Sequence, residues 1–219
     1  MLNWFKKQKE NKYPGFWNTY MEYINNQEDL PYEDTTFIVF DTETTGFHPR
    51  KDRVLSIGAI KLKNNTIDVQ DSFELYIKQE IYCSDAVEIH GILKEGRLEK
   101  VSEKEALKQF LKYVKGSIII AHHTHFDYSM INQMLFRLDL PELQNKCIDT
   151  EKLYLKSKHK VYEGDKDRYS LDDLCKELNI EVRDRHTASG DSLLTAIAFQ
   201  KIVQRMSKDG YPKVTDLLL

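Results

Sequence analysis

The chain reads as one α/β domain, a mixed β-sheet flanked by helices. Three observations predict it. The runs "TFIVF", "VLSIGAIKL" and the alternating "IDVQDSFELYI" read as successive strands, and "GSIIIAH" reads as a short, fully buried one. Helical periodicity then alternates with the remaining strand-like runs. Strands in direct succession followed by helix, strand, helix, strand and helices call for a mixed sheet rather than a purely parallel one. A content of 41% hydrophobic and 31% charged residues over 219 positions suits a domain with a sizeable core.

The elements follow in chain order. Residues 1–34 stand apart as an N-terminal helical extension. After the turn signal Pro14-Gly15, "FWNTYMEYI" puts Phe16, Trp17, Tyr20, Met21 and Ile24 on one helical face. That face is expected to pack on the main domain, with a docking surface for a partner as the alternative. Beyond the first three strands, "SEKEALKQFLKYV" opens with a Ser-x-x-Glu capping signal and gathers Ala106, Leu107, Phe110, Leu111 and Val114 on one side. "DYSMINQMLFRL" does the same with Met130, Ile131, Met134 and Leu135, and "KCID" is a short strand. "SLDDLCKELNI" opens with Ser170 three residues before Asp173, and "ASGDSLLTAIAFQKIVQRM" is a long final helix. Residues 207–219 form a short tail.

Bulk properties exclude several classes. A formal net charge of -3 argues against a protein that coats nucleic acid by charge alone, though not against an enzyme that grips one strand end. Lysines cluster in "FKKQKENK" and "LYLKSKHKVYEGDKDRY", each read as a phosphate-meeting patch or a solvated face. No apolar run reaches membrane-spanning length and no signal-peptide core opens the chain, so a cytoplasmic protein without membrane contact is expected. Cys83, Cys147 and Cys175 have neither the number nor the spacing of a disulfide framework or zinc site, and are expected to be small buried hydrophobes.

The chemistry concentrates at element ends. In "FIVFDTETTGFHP" an apolar strand closes on Asp41 and Glu43, whose i, i+2 spacing turns both carboxylates to one face. Like charges at a buried strand end repel and are raised in pKa, unless a cation lies between them. Oxygen-only ligands point to magnesium or manganese rather than zinc; a solvated strand end is the alternative. Asp127 in "AHHTHFDYSM" reads by itself as a helix cap, and Asp191 in "RHTASGDSLL" as a first-turn acid. Together they place four acids around one sheet, with His186 beside the last.

"FDTETTG", "HHTHFD" and "RHTASGD" resemble the three motifs of the DEDD exonuclease superfamily, in the DnaQ-like subclass whose third motif is His-x-Ala-x-x-Asp. "DRVLSIGAI", "EIHGI", "CIDT" and "YSLDDLC" supply matching context, and the likeness covers roughly residues 35–206, the exonuclease domain. The pattern is similar to that of the proofreading epsilon subunit of bacterial DNA polymerase III. The resemblance implies a ribonuclease-H-like fold with a five-stranded mixed sheet, and release of nucleoside 5'-monophosphates from 3' ends with two Mg2+ or Mn2+ ions. It assigns Asp41, Glu43, Asp127 and Asp191 as metal ligands and His186 as general base. Asp41 would bridge both metals, Glu43 and Asp191 complete the first, and Asp127 support the second. Two metals roughly 3.5–4 Å apart can generate hydroxide, neutralise phosphorus-centred charge and stabilise the leaving oxygen, while an imidazole of pKa about 6.5 accepts the proton of water near neutral pH.

Substrate contacts implied by the resemblance are the backbone of Thr44 and Thr45 and the side chain of His90. His90 reads alternatively as a helix cap. Phe126 reads as a base-stacking residue or a core one. Relatives commonly carry Asn where this chain has His123, a small residue at Thr124 and Glu at Ser56. The triple "HHTH" invites a competing zinc reading through His122, His123 and His125. The expected function is a 3'-to-5' exonuclease on single-stranded DNA 3' ends, in proofreading or repair. An exoribonuclease or oligonucleotide-degrading enzyme is the first alternative and a non-catalytic nucleic-acid-binding subunit the second. After the last helix the chain runs only to "YPKVTDLLL", without the long extension by which the epsilon subunit holds its polymerase. A polymerase subunit and a free-standing nuclease are therefore both expected outcomes.

Overall fold

The computed structural model describes residues 12–158, 168–207 and 210–218. The lysine-rich start "FKKQKENK" up to Asn11 and the centre of "LYLKSKHKVYEGDKDRY" lie outside these residues.

A sheet in the order β4-β3-β2-β1-β5-β6 forms the middle layer. Its strands are β1 (Thr36–Thr44), β2 (Val54–Lys63), β3 (Thr66–Ile77), β4 (Lys100–Val101), β5 (Ile118–Ala121) and β6 (Cys147–Asp149). The pairs β1–β2 and β2–β3 are antiparallel, and β1–β5, β5–β6 and β3–β4 parallel, so the sheet is mixed as expected. Six strands stand where five were expected. The extra one is the two-residue β4, which pairs with Tyr76 and Ile77 at the sheet edge and is too short and too charged to carry a period-2 signal.

Alternation along β1 sorts the core into two. Phe37 and Val39 face a cluster built with α5 (Thr150–Ser157), α6 (Leu171–Glu177) and α7 (Ala188–Met206), while Ile38 and Phe40 face one built with α1 (Gly15–Asn25), α3 (Glu103–Val114) and α4 (Thr124–Phe136). α7 is buried along most of its length because it lies over β1 and β2, and Ala, Gly and Ser at its start let it come close. The short α2 (Ser84–His90) follows β3, and α8 (Val214–Leu217) lies near the C-terminus.

The amphipathic N-terminal helix packs on the domain. Trp17 and Tyr20 of α1 are buried against the α3 side, and the Tyr20 hydroxyl donates to Asn145 Oδ1 (2.7 Å) while accepting from Gln144 N (2.7 Å). The capping signals also hold: Ser102 Oγ accepts from Glu105 N at the start of α3, and Ser170 and Asp173 form a reciprocal capping box on α6. Two cysteines depart from expectation. Only Cys175 is buried, since Cys83 caps the exposed α2 and Cys147 opens the edge strand β6. Among the described residues no helix is long and apolar enough to cross a membrane.

Candidate active site

β1 delivers the first two acids. Asp41 and Glu43 continue the face of Phe37 and Val39, toward α7, and a break in register with β2 follows between Glu43 and Thr44. Opposite Asp41 in the ladder stands Gly58, and a Cβ there would lie 2.2 Å from the Ala188 carbonyl carbon and the Ser189 nitrogen. The first turn of α7 therefore rests directly on the β2 backbone. This close approach sets Asp191 over the strand end, so that Asp41, Glu43 and Asp191 each bring a ligand oxygen within 4.8 Å of the others. Thr187 starts the helix, its Oγ1 accepting from Gly190 N (3.1 Å), and Asp191 falls in the first turn as the sequence suggests.

Asp127 arrives from the opposite face. The cap position that Asp127 suggests when read by itself belongs to His123, in a left-handed conformation (φ 57°), and Asp127 lies in the first turn of α4. Its Oδ1 accepts from Thr42 N (3.0 Å) and Thr42 Oγ1 (2.6 Å). Thr42 points away from Asp41 and Glu43 by strand alternation, so the same three residues of β1 gather acids from both sides of the sheet. His, like Asn, enters this left-handed region more readily than most side chains. The imidazole Nε2 of His123 lies 3.2 Å from Glu151 Oε2.

The electrostatics are those of a cation site. Burial, then the charges of Asp127, Asp191 and Glu43, hold the Asp41 carboxyl well above its ordinary range. Burial pushes Glu43 up to about 7, and Asp127 also to about 7 against the pull of its Thr42 hydrogen bonds. Burial raises Asp191 too, with Arg185 opposing. Asp191 Oδ1 is buried without a hydrogen-bond partner. An orphaned carboxylate oxygen among converging, mutually repelling oxygens fits a hard divalent cation.

A pH test follows. The Glu43 carboxyl rises from 4.5 to about 7 on folding, so the folded chain holds a proton that the unfolded chain has released. Its contribution is full below the unfolded value and lost as pH climbs through the folded one, on the order of 3 kcal/mol for this group alone. In EDTA the melting temperature should fall between about pH 5 and about pH 8, Glu43→Gln should flatten that fall, and Mn2+ should restore more stability at the higher pH. A wild-type melting temperature that rises over this interval, or a fall that Glu43→Gln leaves intact, contradicts the account.

The remaining expected residues sort unevenly. His186 precedes α7 in a left-handed conformation (φ 61°), exposed, and close enough that its charge lowers the carboxyl of Asp191. His90, the last residue of α2, accepts from Ile92 N at Nδ1 (3.0 Å), which leaves its proton on Nε2, beside the Thr44 backbone. Thr45 departs from its expected role as a backbone donor, because its N–H is already given to Arg53 O (2.9 Å) in a turn closed by Asp52. Thr44 Oγ1 donates to Gly46 O (2.8 Å). Phe126 is half-buried against the core, and its ring lies 5.9 Å from that of Phe47, which is 82% exposed. Phe47 escaped the sequence reading, although an aromatic straight after a Thr-Thr-Gly turn at a strand end is a signal. The zinc alternative fails on His122. Its Nδ1 meets Thr150 Oγ1 (3.0 Å) and its Nε2 meets Tyr169 O (2.9 Å), so both ring nitrogens serve the fold.

The acids on both faces of a central strand end, in a mixed sheet between two helical layers, define a DEDD-type 3'-5' exonuclease of the DnaQ-like kind, a phosphodiester hydrolase. The chain belongs to the RNase T exonuclease family, whose model matches residues 38–199. It is 33% identical over 194 residues to the PolC-type DNA polymerase III of Thermotoga maritima and 32% identical over 182 residues to that of Caldanaerobacter subterraneus subsp. tengcongensis, which covers 88% and 83% of this chain. The matched segments make up only 14% and 12% of those polymerases, so the chain spans a small part of the curated relatives it matches. Among solved structures, E. coli Exonuclease I in complex with a dT13 oligonucleotide shares the fold, with a TM-score of 0.66 at 20% identity over 79% of this chain and 42% of that one.

Proposed function

We propose that the chain removes nucleoside 5'-monophosphates one at a time from the 3' ends of single-stranded DNA. The observation that carries this reading is the convergence of Asp41, Glu43 and Asp191 at an open strand end, with Asp127 held beside them by Thr42. These four carboxylates would hold two Mg2+ or Mn2+ ions, which supply an activated water and neutralise charge at phosphorus and at the leaving oxygen. His186, exposed beside Asp191, is placed to take the proton of the attacking water; the new P–O bond forms as the P–O3' bond breaks, and the leaving 3' oxygen takes its proton from solvent water. His90 and the Thr44 backbone line the place of the terminal nucleotide, and the Phe47–Phe126 pair offers its bases an aromatic surface.

DNA is favoured over RNA by the company the chain keeps: the relatives named above are DNA polymerases, and one of its structural neighbours was solved with a deoxyoligonucleotide. The same relatives favour work on replicating DNA in the cytosol, as proofreader or repair enzyme, with a polymerase as partner. A time course on 5'-labelled DNA and RNA of matched sequence, with Mg2+, Mn2+ or EDTA, tests the reading. A metal-dependent ladder shortening from the 3' end of DNA supports it. Faster shortening of RNA overturns the substrate, and no cleavage of either strand overturns the nuclease.

A further inference from the structure

The motif "YSLDDLC" has no part in the activity so far, yet it reaches the acidic cluster through one side chain. Asp172, near the start of α6, grips Arg185 with both oxygens, from Nε (2.6 Å to Oδ1) and Nη2 (3.2 Å to Oδ2). The third arm of the guanidinium, Nη1, donates to Asp191 Oδ2. Arg185 is largely covered, with 19% of its side chain exposed. Its loop is not free to relax. Asp184 (φ 52°) and His186 (φ 61°) on either side are left-handed, a region that Asp and His enter more readily than most side chains. A Cβ on Gly190 would meet Asp184 O at 2.0 Å, so the loop is wedged against the first turn of α7.

Asp191 is thus divided between two tasks. Oδ2 is taken by Arg185, and Oδ1 is the buried oxygen left without a partner. From this we infer that Arg185 is a positioning residue: anchored by Asp172, it fixes the Asp191 carboxylate by one oxygen and so presents the other to the cation. The inference rests on the metal-centred reading of the site. A fork with arms to two acids suits the task, because a planar guanidinium sets the orientation of what it binds as well as its charge. Outer partners of this sort commonly govern how well a ligand holds its metal.

The sign of the effect separates this role from its rival. A cation that merely fills an empty acidic site competes with the metal, so its removal tightens metal binding. A positioning cation has the opposite consequence. Calorimetric titration of Mn2+ into the EDTA-stripped, dialysed protein should show binding weaker by about tenfold or more in Arg185→Gln. Arg185→Lys should recover part of the loss, since an ammonium can reach one acid but cannot fork, and Asp172→Asn should lose part of the affinity by loosening the anchor. Unchanged or tighter Mn2+ binding by folded Arg185→Gln overturns the proposal. Should that variant not fold, Asp172→Asn decides alone, and wild-type affinity in it overturns the proposal. Wild-type protein that takes up no Mn2+ defeats the metal-centred reading itself, and the proposal with it.

Discussion

Asp41→Ala is expected to lower the cleavage rate by roughly a thousandfold or more while leaving the chain folded, because losing several kcal/mol of transition-state stabilisation has that effect. Asp41 stands at the centre of the cluster. It shares a face with Glu43, lies opposite the glycine that admits α7, and feels the charges of all three other acids. No hydrogen bond among the described residues depends on its carboxylate, so its removal leaves no partner stranded. In EDTA the metal-free variant should be at least as stable as the wild type, since a desolvated carboxyl repelled by its three neighbours is gone. Rates on labelled DNA, read beside melting curves in EDTA, check both halves. A folded Asp41→Ala protein that cleaves at the wild-type rate removes Asp41 from the chemistry.

Gly58→Ala tests the scaffold rather than the ligands. The added methyl carbon would sit 2.2 Å from two backbone atoms of residues 188 and 189, and no side-chain rotation can relieve a clash with main chain. Either β2 or the first turn of α7 must move. A loss of about 2–4 kcal/mol in denaturant unfolding is expected, at the upper end of what overpacking does. Cleavage should fall further than stability alone explains, because Asp191 shifts with the turn while Asp41 and Glu43 stay with β1. An alanine variant with wild-type stability and wild-type rate would show that the contact does not set the site.

The residues most legible in the sequence were those whose pattern and chemistry agree. β1 announces itself by an apolar run and its function by the acids that end it; α7 does so by periodicity and by Thr187, Ala188 and Asp191 at its start. What escaped the sequence lies where contacts between distant segments decide. β4 exists because Lys100 and Val101 happen to pass the edge of β3, and two residues carry no periodicity. Taken alone, Asp127 resembles a cap because caps are local, whereas its partner Thr42 is 85 residues away, and in the sequence only the motif resemblance places it with the other acids. Thr45 lost its expected donor role to Arg53, eight residues on, for the same reason. Arg185 carries no sequence signal distinguishing it from any exposed arginine before a helix; only the folded chain sets it between Asp172 and Asp191.

The alternation of β1 joins folding to chemistry more closely than separate site and core would. Losing one residue between Phe37 and Phe40 would exchange the two faces of everything beyond it. Asp41 and Glu43 would then turn into the apolar layer of α3 and α4, and Thr42 would turn its back on Asp127. A mispaired sheet thus buries two carboxylates in hydrocarbon, which is far costlier than a shifted leucine. The paired acids thus guard their own strand's register, and a molecule that folds wrongly here is poorly placed to persist as a compact protein.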